Sequence, residues 1–127
     1  MGFAARRQGG DLNRTGARAR PDSPIDLVHL ARQTMGDAAL EKELLAMFDR
    51  QAAQIASILL VVEQGATSAD LAHKLKGSAR AIGANGIAAA AEHYEHAARA
   101  GLLAQADADR LFAETEDVRA FLRDLSI

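Results

Sequence analysis

The chain has 127 residues, of which 49% are hydrophobic and 4% are aromatic, and it contains no cysteine. This length favours a single domain. The lack of cysteine excludes disulfides and thiolate metal sites, which fits a reducing, cytoplasmic location. The sequence has no run of 18 or more apolar residues, so we expect no membrane span. The apolar residues are mainly alanine and leucine, which favours helices over strands.

Residues 1–22 are predicted to form a flexible basic tail, and residues 23–127 a folded domain. The tail lacks the apolar segment of a secretory signal peptide, and its arginines are interspersed with glycines, which is typical of disorder. From residue 22 onward the chain has ten basic and sixteen acidic residues, a net charge of −6. We therefore expect no nucleic-acid binding by the folded domain. The tail arginines are Arg6, Arg7, Arg14, Arg18 and Arg20.

Two helices are predicted in the first half of the domain. Ser23 is the predicted cap of a short helix that ends at Gly36. Asp37 is the predicted cap of a longer helix that ends at Gly65. Its apolar residues recur at three- and four-residue spacing. They are Leu40, Leu44, Met47, Phe48, Ile55, Leu59 and Val62.

Three more helices are predicted, over about residues 69–82, 87–100 and 106–125. A capping box of Thr67 and Asp70 precedes the first of them. Their apolar stripes comprise Leu71, Leu75, Ala79 and Ile82; Ile87, Ala91, Tyr94 and Ala98; and Leu111, Thr115, Val118, Leu122 and Leu125. Short loops make neighbouring helices antiparallel. The predicted fold class is therefore all-α, an antiparallel four-helix bundle with a short additional N-terminal helix.

The third predicted helix carries one histidine on its polar face. At about 100° per residue, His73 lies about 200° from Leu71 and from Leu75, so it points away from the core. Neutral imidazole is a good nucleophile. The neighbours of His73 on this face are Ala69, Asp70, Lys76, Gly77 and Arg80.

Two of these neighbours suit a histidine that carries a phosphoryl group. Lys76 can offset the negative charge that the group adds. Gly77 lacks the side chain that would crowd the imidazole. A glycine inside a helix costs about 0.5–1 kcal/mol relative to alanine, so its presence indicates such a functional reason. The pattern predicts an imidazole that is open to the active site of another protein.

The segment His73-x-Leu75-Lys76-Gly77-Ser78-Ala79-x-x-Ile82-Gly83-Ala84 resembles the signature of histidine-containing phosphotransfer (HPt) domains. These domains serve multistep two-component phosphorelays. The family pattern is a histidine, an aliphatic residue, Lys-Gly-Ser, a small residue and an aliphatic-glycine pair, and each position is filled here. The resemblance extends over about residues 25–125 and implies a four-helix bundle.

The resemblance implies that His73 is the phosphoacceptor through its outward Nε2, that Lys76 supports the phosphorylated ring and that Gly77 gives a partner access. Gly83 would end the helix. The partner-binding residues would be Ala69, Asp70, Lys74, Arg80 and Gly83.

The resemblance also implies how the protein would act. His73 would accept a phosphoryl group from the aspartate of a response-regulator receiver domain and pass it to another receiver. A hybrid histidine kinase is a further implied partner. The receiver would supply Mg²⁺, whereas this chain would hold no metal or cofactor. We expect a monomer without kinase activity of its own.

A metal site is an alternative for the histidines of the fourth helix. Glu92, His93, Glu95 and His96 cluster there, but neither glutamate is followed three residues later by histidine, as the di-iron bundle motif requires. A metal site also needs three or four ligands. These residues are therefore predicted to form a solvated polar face. His29, alone on the short first helix, is predicted to be structural or exposed.

Two alternatives concern His73 itself. The dimerisation helix of a sensor kinase usually has an acidic residue directly after the histidine, whereas Lys74 follows here. A non-catalytic adaptor with an HPt-like fold would bind a signalling partner without transfer. The intact set of His73, Lys76 and Gly77 argues against it.

Overall fold

The computed structural model describes residues 23–125, so the predicted basic tail lies outside the described residues. Residues 23–125 contain five helices and no strand. The helices are α1 (Leu27–Thr34), α2 (Ala38–Leu59), α3 (Ala66–Ile82), α4 (Asn85–Ala100) and α5 (Gln105–Asp124). None of the helices in this range is long and apolar enough to cross a membrane. The predicted all-α fold class is confirmed.

Contacts between neighbouring helices show the antiparallel arrangement of the bundle. Ion pairs join Arg80 to Glu92 and Asp70 to Arg99, so α4 runs back along α3. Gln105 at the start of α5 bonds to Leu60 just after α2, and Arg119 farther along α5 pairs with Asp49 in the middle of α2, so this pair also runs in opposite directions. The short helix α1 packs against α2 and α3 at one end of the bundle.

The N-termini of the first two helices are each capped by an aspartate side chain. The side chain of Asp37 accepts a hydrogen bond from the N–H of Leu40, which confirms the predicted cap of α2. The side chain of Asp26 accepts from the N–H of His29 at 3.0 Å and caps α1. The prediction that Ser23 caps this helix is wrong, because its hydroxyl donates to the carbonyl of Ile25 instead.

The helix that carries His73 begins earlier than the sequence predicts. α3 starts directly after Gly65, and no side chain caps it. The predicted capping box of Thr67 and Asp70 is therefore wrong. The N–H of Gly65 donates to the carbonyl of Ala98 at 2.9 Å, which ties the start of α3 to the end of α4.

Gly83 ends α3 and connects it to the segment before α1. Its φ of 86° lies in the left-handed region that favours glycine. Its carbonyl accepts from the N–H of Asp26 at 2.9 Å, and a Cβ at this position would lie 2.9 Å from the carbonyl oxygen of Asp26. Gly83 is buried. It offers no surface to a partner, so its predicted place among the partner-binding residues is wrong.

Many of the buried residues of α3 and α4 are small. The alanines buried in these two helices are Ala69, Ala72, Ala79, Ala88, Ala90, Ala91 and Ala98. The large buried side chains of α2 and α5 are Leu45, Phe48, Ile55, Leu59, Leu111, Val118 and Leu122. Small side chains let two helices approach closely, so polar groups at the edge of the α3–α4 contact can reach across it.

The predicted apolar stripe is correct for α4 and, apart from half-buried Leu71 and exposed Leu125, for α3 and α5, whereas that of α2 is only partly buried. Leu40, Met47 and Leu125 are 39%, 54% and 42% exposed, although they were predicted to be buried. Ala69 was expected on the exposed face next to His73, but it is 0% exposed. Ala69 is buried because it lies on the face of α3 that packs against the rest of the bundle. The prediction that Ala69 binds a partner is therefore also wrong.

Candidate functional site

His73 stands on the outer face of α3, near the middle of the helix. Its side chain is 62% exposed, which confirms the predicted orientation away from the core. Its Nδ1 lies 3.1 Å from Oε2 and 3.2 Å from Oε1 of Glu95 on α4. Within residues 23–125, no group bonds to Nε2. The ring therefore presents one bonded and one open nitrogen.

Glu95 is the centre of the polar cluster around His73. Only 9% of its side chain is exposed. It accepts hydrogen bonds from His73, from Nζ of Lys76 at 2.9 Å and from Nη2 of Arg99 at 3.0 Å. The prediction that Glu95 belongs to a solvated polar face is wrong, because α4 turns this carboxylate into the contact with α3.

The charge on Glu95 determines which nitrogen of His73 carries hydrogen. Burial raises the pKa of Glu95, but the hydrogen bonds from Lys76, Arg99 and His73 outweigh it and lower the pKa from 4.5 to about 2. The carboxylate is ionised at neutral pH and can only accept hydrogen bonds. Nδ1 therefore donates, and the lone pair of the neutral ring lies on Nε2.

Lys76 reaches the cluster from α3, one turn after His73. Its side chain is 12% exposed, and its ammonium donates to Oε1 of Glu95. An ammonium carries three donors. The bond to Glu95 is therefore compatible with a second bond to a phosphoryl group on the imidazole.

Two exposed ion pairs between α3 and α4 flank His73. On one side, Nη2 of Arg99 lies 2.8 Å from Oδ1 of Asp70. On the other side, Nη2 of Arg80 lies 2.8 Å from Oε1 of Glu92. Asp70 and Arg80, two of the predicted partner-binding residues, are thus exposed and paired across the helices.

Gly77 lies on the exposed face one turn after His73. No atom outside the local helix lies within 4 Å of the position that a Cβ would take there. Its φ is not in the left-handed region either. Neither packing nor backbone conformation requires glycine at this point. Lys74, also predicted to bind a partner, is exposed next to His73.

The remaining histidine predictions concern residues outside this cluster. Nε2 of His93 lies 3.0 Å from Oδ1 of Asp107 on α5. Nε2 of His29 lies 3.2 Å from the carbonyl oxygen of Ala81, and the residue is half-buried. In the part of the chain that the structure describes, no three histidine, aspartate or glutamate side chains are arranged to hold a metal ion.

A signal for Glu95 was present in the sequence. Glu95 lies four residues after Ala91 and three before Ala98, both of which belong to the predicted apolar stripe of α4. Charged residues are almost never fully buried unless they are paired. A glutamate at such a spacing therefore indicates cationic or hydrogen-bonding partners on the facing helix.

Comparison with known protein families gives a match to the model of the Hpt domain over residues 40–125, more than half of the chain. The matched segment includes most of α2 and all of α3, α4 and α5. Comparisons with curated proteins and with solved structures gave no significant match.

Proposed function

Because the chain belongs to the Hpt domain family, whose members transfer phosphoryl groups in phosphorelays, we propose that His73 is its phosphoryl-accepting residue. His73 takes the group from the aspartate of a receiver domain and passes it to another receiver. The observation that carries this proposal is the arrangement of the ring. Nδ1 is bonded to an ionised carboxylate, while Nε2 belongs to a side chain that is 62% exposed.

The transfer uses the lone pair of Nε2. Nε2 attacks the phosphorus in line, the bond between phosphorus and the aspartate oxygen breaks, and the aspartate leaves as a carboxylate. The ring of His73 then carries a positive charge, which the carboxylate of Glu95 stabilises through the Nδ1–H bond. Mg²⁺ and a lysine, both supplied by the receiver, would stabilise the charge on the equatorial oxygens.

Lys76 and Gly77 support this reaction in different ways. Lys76 holds Oε1 of Glu95 and offers its other donors to the phosphoryl group. Gly77 leaves the approach to Nε2 free, since no side chain projects there one turn from the ring. This accounts for a glycine that the fold itself does not require.

The proposed docking rim consists of the exposed residues Asp70, Lys74 and Arg80. Exposed charges at the edge of an interface mainly affect the association rate and the choice of partner. The partner class that fits is the receiver domain, which brings the acyl phosphate that neutral imidazole can attack. An Hpt protein that only relays the group needs no nucleotide-binding site of its own.

A purified, phosphorylated receiver tests the proposal. It should label the wild-type protein and fail to label His73→Gln. The label should be acid-labile and stable in alkali. His93→Gln is the matched control, because His93 is also exposed, at 60%, and also bonded to a carboxylate.

The outcomes separate the two candidate functions. Labelling of His93→Gln but not of His73→Gln supports transfer through His73. Equal labelling of the wild type and His73→Gln would refute it. A wild-type protein that binds receivers without being labelled would support the adaptor alternative.

A further inference from the structure

Arg99 belongs to the cluster around His73 but has no part in the reaction described so far. It lies on α4, one turn after Glu95. Its Nε and Nη2 lie 3.3 Å and 3.0 Å from Oε2 of Glu95. Nη2 also donates to Oδ1 of Asp70 at 2.8 Å. The side chain is 43% exposed, so Arg99 lies at the edge of the cluster.

Two cations hold the carboxylate of Glu95, one on each oxygen. Lys76 on α3 donates to Oε1, and Arg99 on α4 donates to Oε2. Nδ1 of His73 lies almost equally far from both oxygens, at 3.2 Å and 3.1 Å. A carboxylate with one cation can pivot about that contact. With a cation on each oxygen, its orientation toward the imidazole is fixed.

Asp70 keeps Arg99 in place. Asp70 precedes His73 by one turn on α3, so the series of bonds from Asp70 through Arg99 and Glu95 to His73 begins and ends on the same helix. The donors of a guanidinium have a fixed planar geometry. Binding to Asp70 therefore also sets the direction of the donors that face Glu95.

We propose that Arg99, held by Asp70, is a positioning residue for phosphoryl transfer. It fixes the carboxylate of Glu95 against Nδ1 of His73 and thereby keeps the lone pair on the outward Nε2. Arg99 contacts neither the ring nor the phosphoryl group and acts through Glu95. This inference rests on the proposed function of His73.

The arrangement around Arg119 provides a matched control for Arg99. Arg119 bonds to Asp49 on the facing helix at 3.0 Å and to Glu116 on its own helix at 3.5 Å. Arg99 likewise bonds to an aspartate across a helix pair and to a glutamate on its own helix. Arg119 lies in α5, outside the cluster. If Arg99 only stabilises the bundle, Arg99→Met and Arg119→Met should behave alike.

The first measurement is the rate of phosphoryl acceptance at saturating receiver. Arg99→Met should lower this rate about tenfold, as loss of an outer partner of a reacting group does, with little change in the half-saturating receiver concentration. Arg119→Met should keep the wild-type rate. A loss confined to the half-saturating concentration would overturn the positioning role and assign Arg99 to docking.

The second measurement needs no receiver and therefore does not depend on the proposed function. Nitrogen NMR shifts of the neutral His73 ring report which nitrogen carries hydrogen. The wild type and Arg119→Met should show hydrogen on Nδ1, whereas in Arg99→Met the two nitrogen shifts should move toward each other. Unchanged shifts together with an unchanged rate would overturn the inference.

The two measurements also separate failure of the inference from failure of the proposed function. If the wild type itself is never labelled on His73, the proposed function fails and Arg99 is not a positioning residue for transfer. If the wild type is labelled and Arg99→Met matches it in rate and shifts, only the inference about Arg99 fails.

Discussion

The helix pairs α3–α4 and α2–α5 contribute different things to the same bundle. α3 and α4 bury seven alanines alongside larger side chains such as Leu75 and Tyr94, and acidic and basic groups of the two helices bond to one another around Glu95. α2 and α5 bury large side chains such as Phe48 and Leu111, and the ion pair between Asp49 and Arg119 is separate from the cluster around His73.

The difference bears on where His73 and Glu95 meet. The side chain of glutamate is short, so Glu95 can meet donors from both α3 and α4 only where the two helices approach closely. Large apolar side chains would separate the helices and give the carboxylate no partner across the contact. We infer that the large buried side chains of α2 and α5 serve stability alone, whereas the α3–α4 contact also determines the geometry of the site.

The largest expected effect comes from a large side chain of α2. Phe48→Ala should lower the free energy of unfolding by about 3–5 kcal/mol, because it removes buried surface and leaves a cavity. Denaturant unfolding measures this loss. Met47→Ala is the control, since Met47 is 54% exposed and should change stability by no more than about 0.5 kcal/mol. Equal losses in both variants would contradict the role assigned to α2.

An enlarged alanine should distinguish the two pairs directly. Ala72 on α3 and Ala52 on α2 are 0% and 1% exposed, so replacement of either by leucine overpacks the core and costs about 1–3 kcal/mol. Only Ala72→Leu should also move His73 away from Glu95. Nitrogen NMR shifts of the His73 ring would show this. Similar ring shifts in both variants would mean that the alanine contact does not set the geometry of the site.

A side chain at Gly77 should affect transfer without harming the fold. Gly77→Leu should slow phosphoryl acceptance at least about tenfold, equivalent to about 1.4 kcal/mol of activation free energy, because it blocks the approach to Nε2. Gly77→Ala should raise stability by about 0.5–1 kcal/mol, since there is open space for its Cβ. Unfolding followed by circular dichroism measures the stability of Gly77→Ala, and transfer kinetics measure the rate of phosphoryl acceptance by Gly77→Leu. Unchanged kinetics in Gly77→Leu would remove the steric argument.

The pH dependence of unfolding should show contributions of opposite sign from two glutamates. Hydrogen bonds to Glu95 lower its pKa to about 2, so its stabilising contribution is present above 4.5 and is lost as the pH falls toward 2. Burial and the charge of Asp117 raise the pKa of Glu114 on α5, despite an opposing effect of Arg110. Its contribution is therefore present at low pH and is lost as the pH rises through the raised pKa.

Glutamine variants separate these two contributions. At neutral pH, Glu95→Gln should lower the free energy of unfolding, whereas Glu114→Gln should raise it. Both differences in unfolding free energy from the wild type should shrink as the pH falls. For Glu95→Gln the difference should shrink between pH 4.5 and about pH 2. Urea unfolding over a pH series measures them. The same sign for both variants at neutral pH would show that burial and hydrogen bonding do not act on the two carboxylates as described.

The helix order could be predicted from the sequence because its signals are local. Gly83 and Gly101 end helices through left-handed backbone conformations, and Asp37 caps the following helix with its own side chain. The exposure of His73 could also be predicted, because it depends only on the helical repeat of α3. These features need no knowledge of a neighbouring helix.

The partners of His73 could not be predicted in the same way, because they depend on the register between two helices. Glu95 meets His73 only because α4 packs against α3 in one antiparallel alignment. The same packing buries Ala69 rather than leaving it beside the histidine. The start of α1 shows a similar limit, since Ser23 and Asp26 are both good caps and the fold selects Asp26.

Under the proposed function, the bond between Nδ1 of His73 and Glu95 would also limit which regioisomer of phosphohistidine the folded protein can carry. With Nδ1 occupied, the phosphoramidate can form only at the nitrogen remote from the main chain. The proximal isomer would require the ring to leave its carboxylate partner. The signal carried by this protein would then have a single covalent form, with a lifetime set by the hydrolysis of that one linkage.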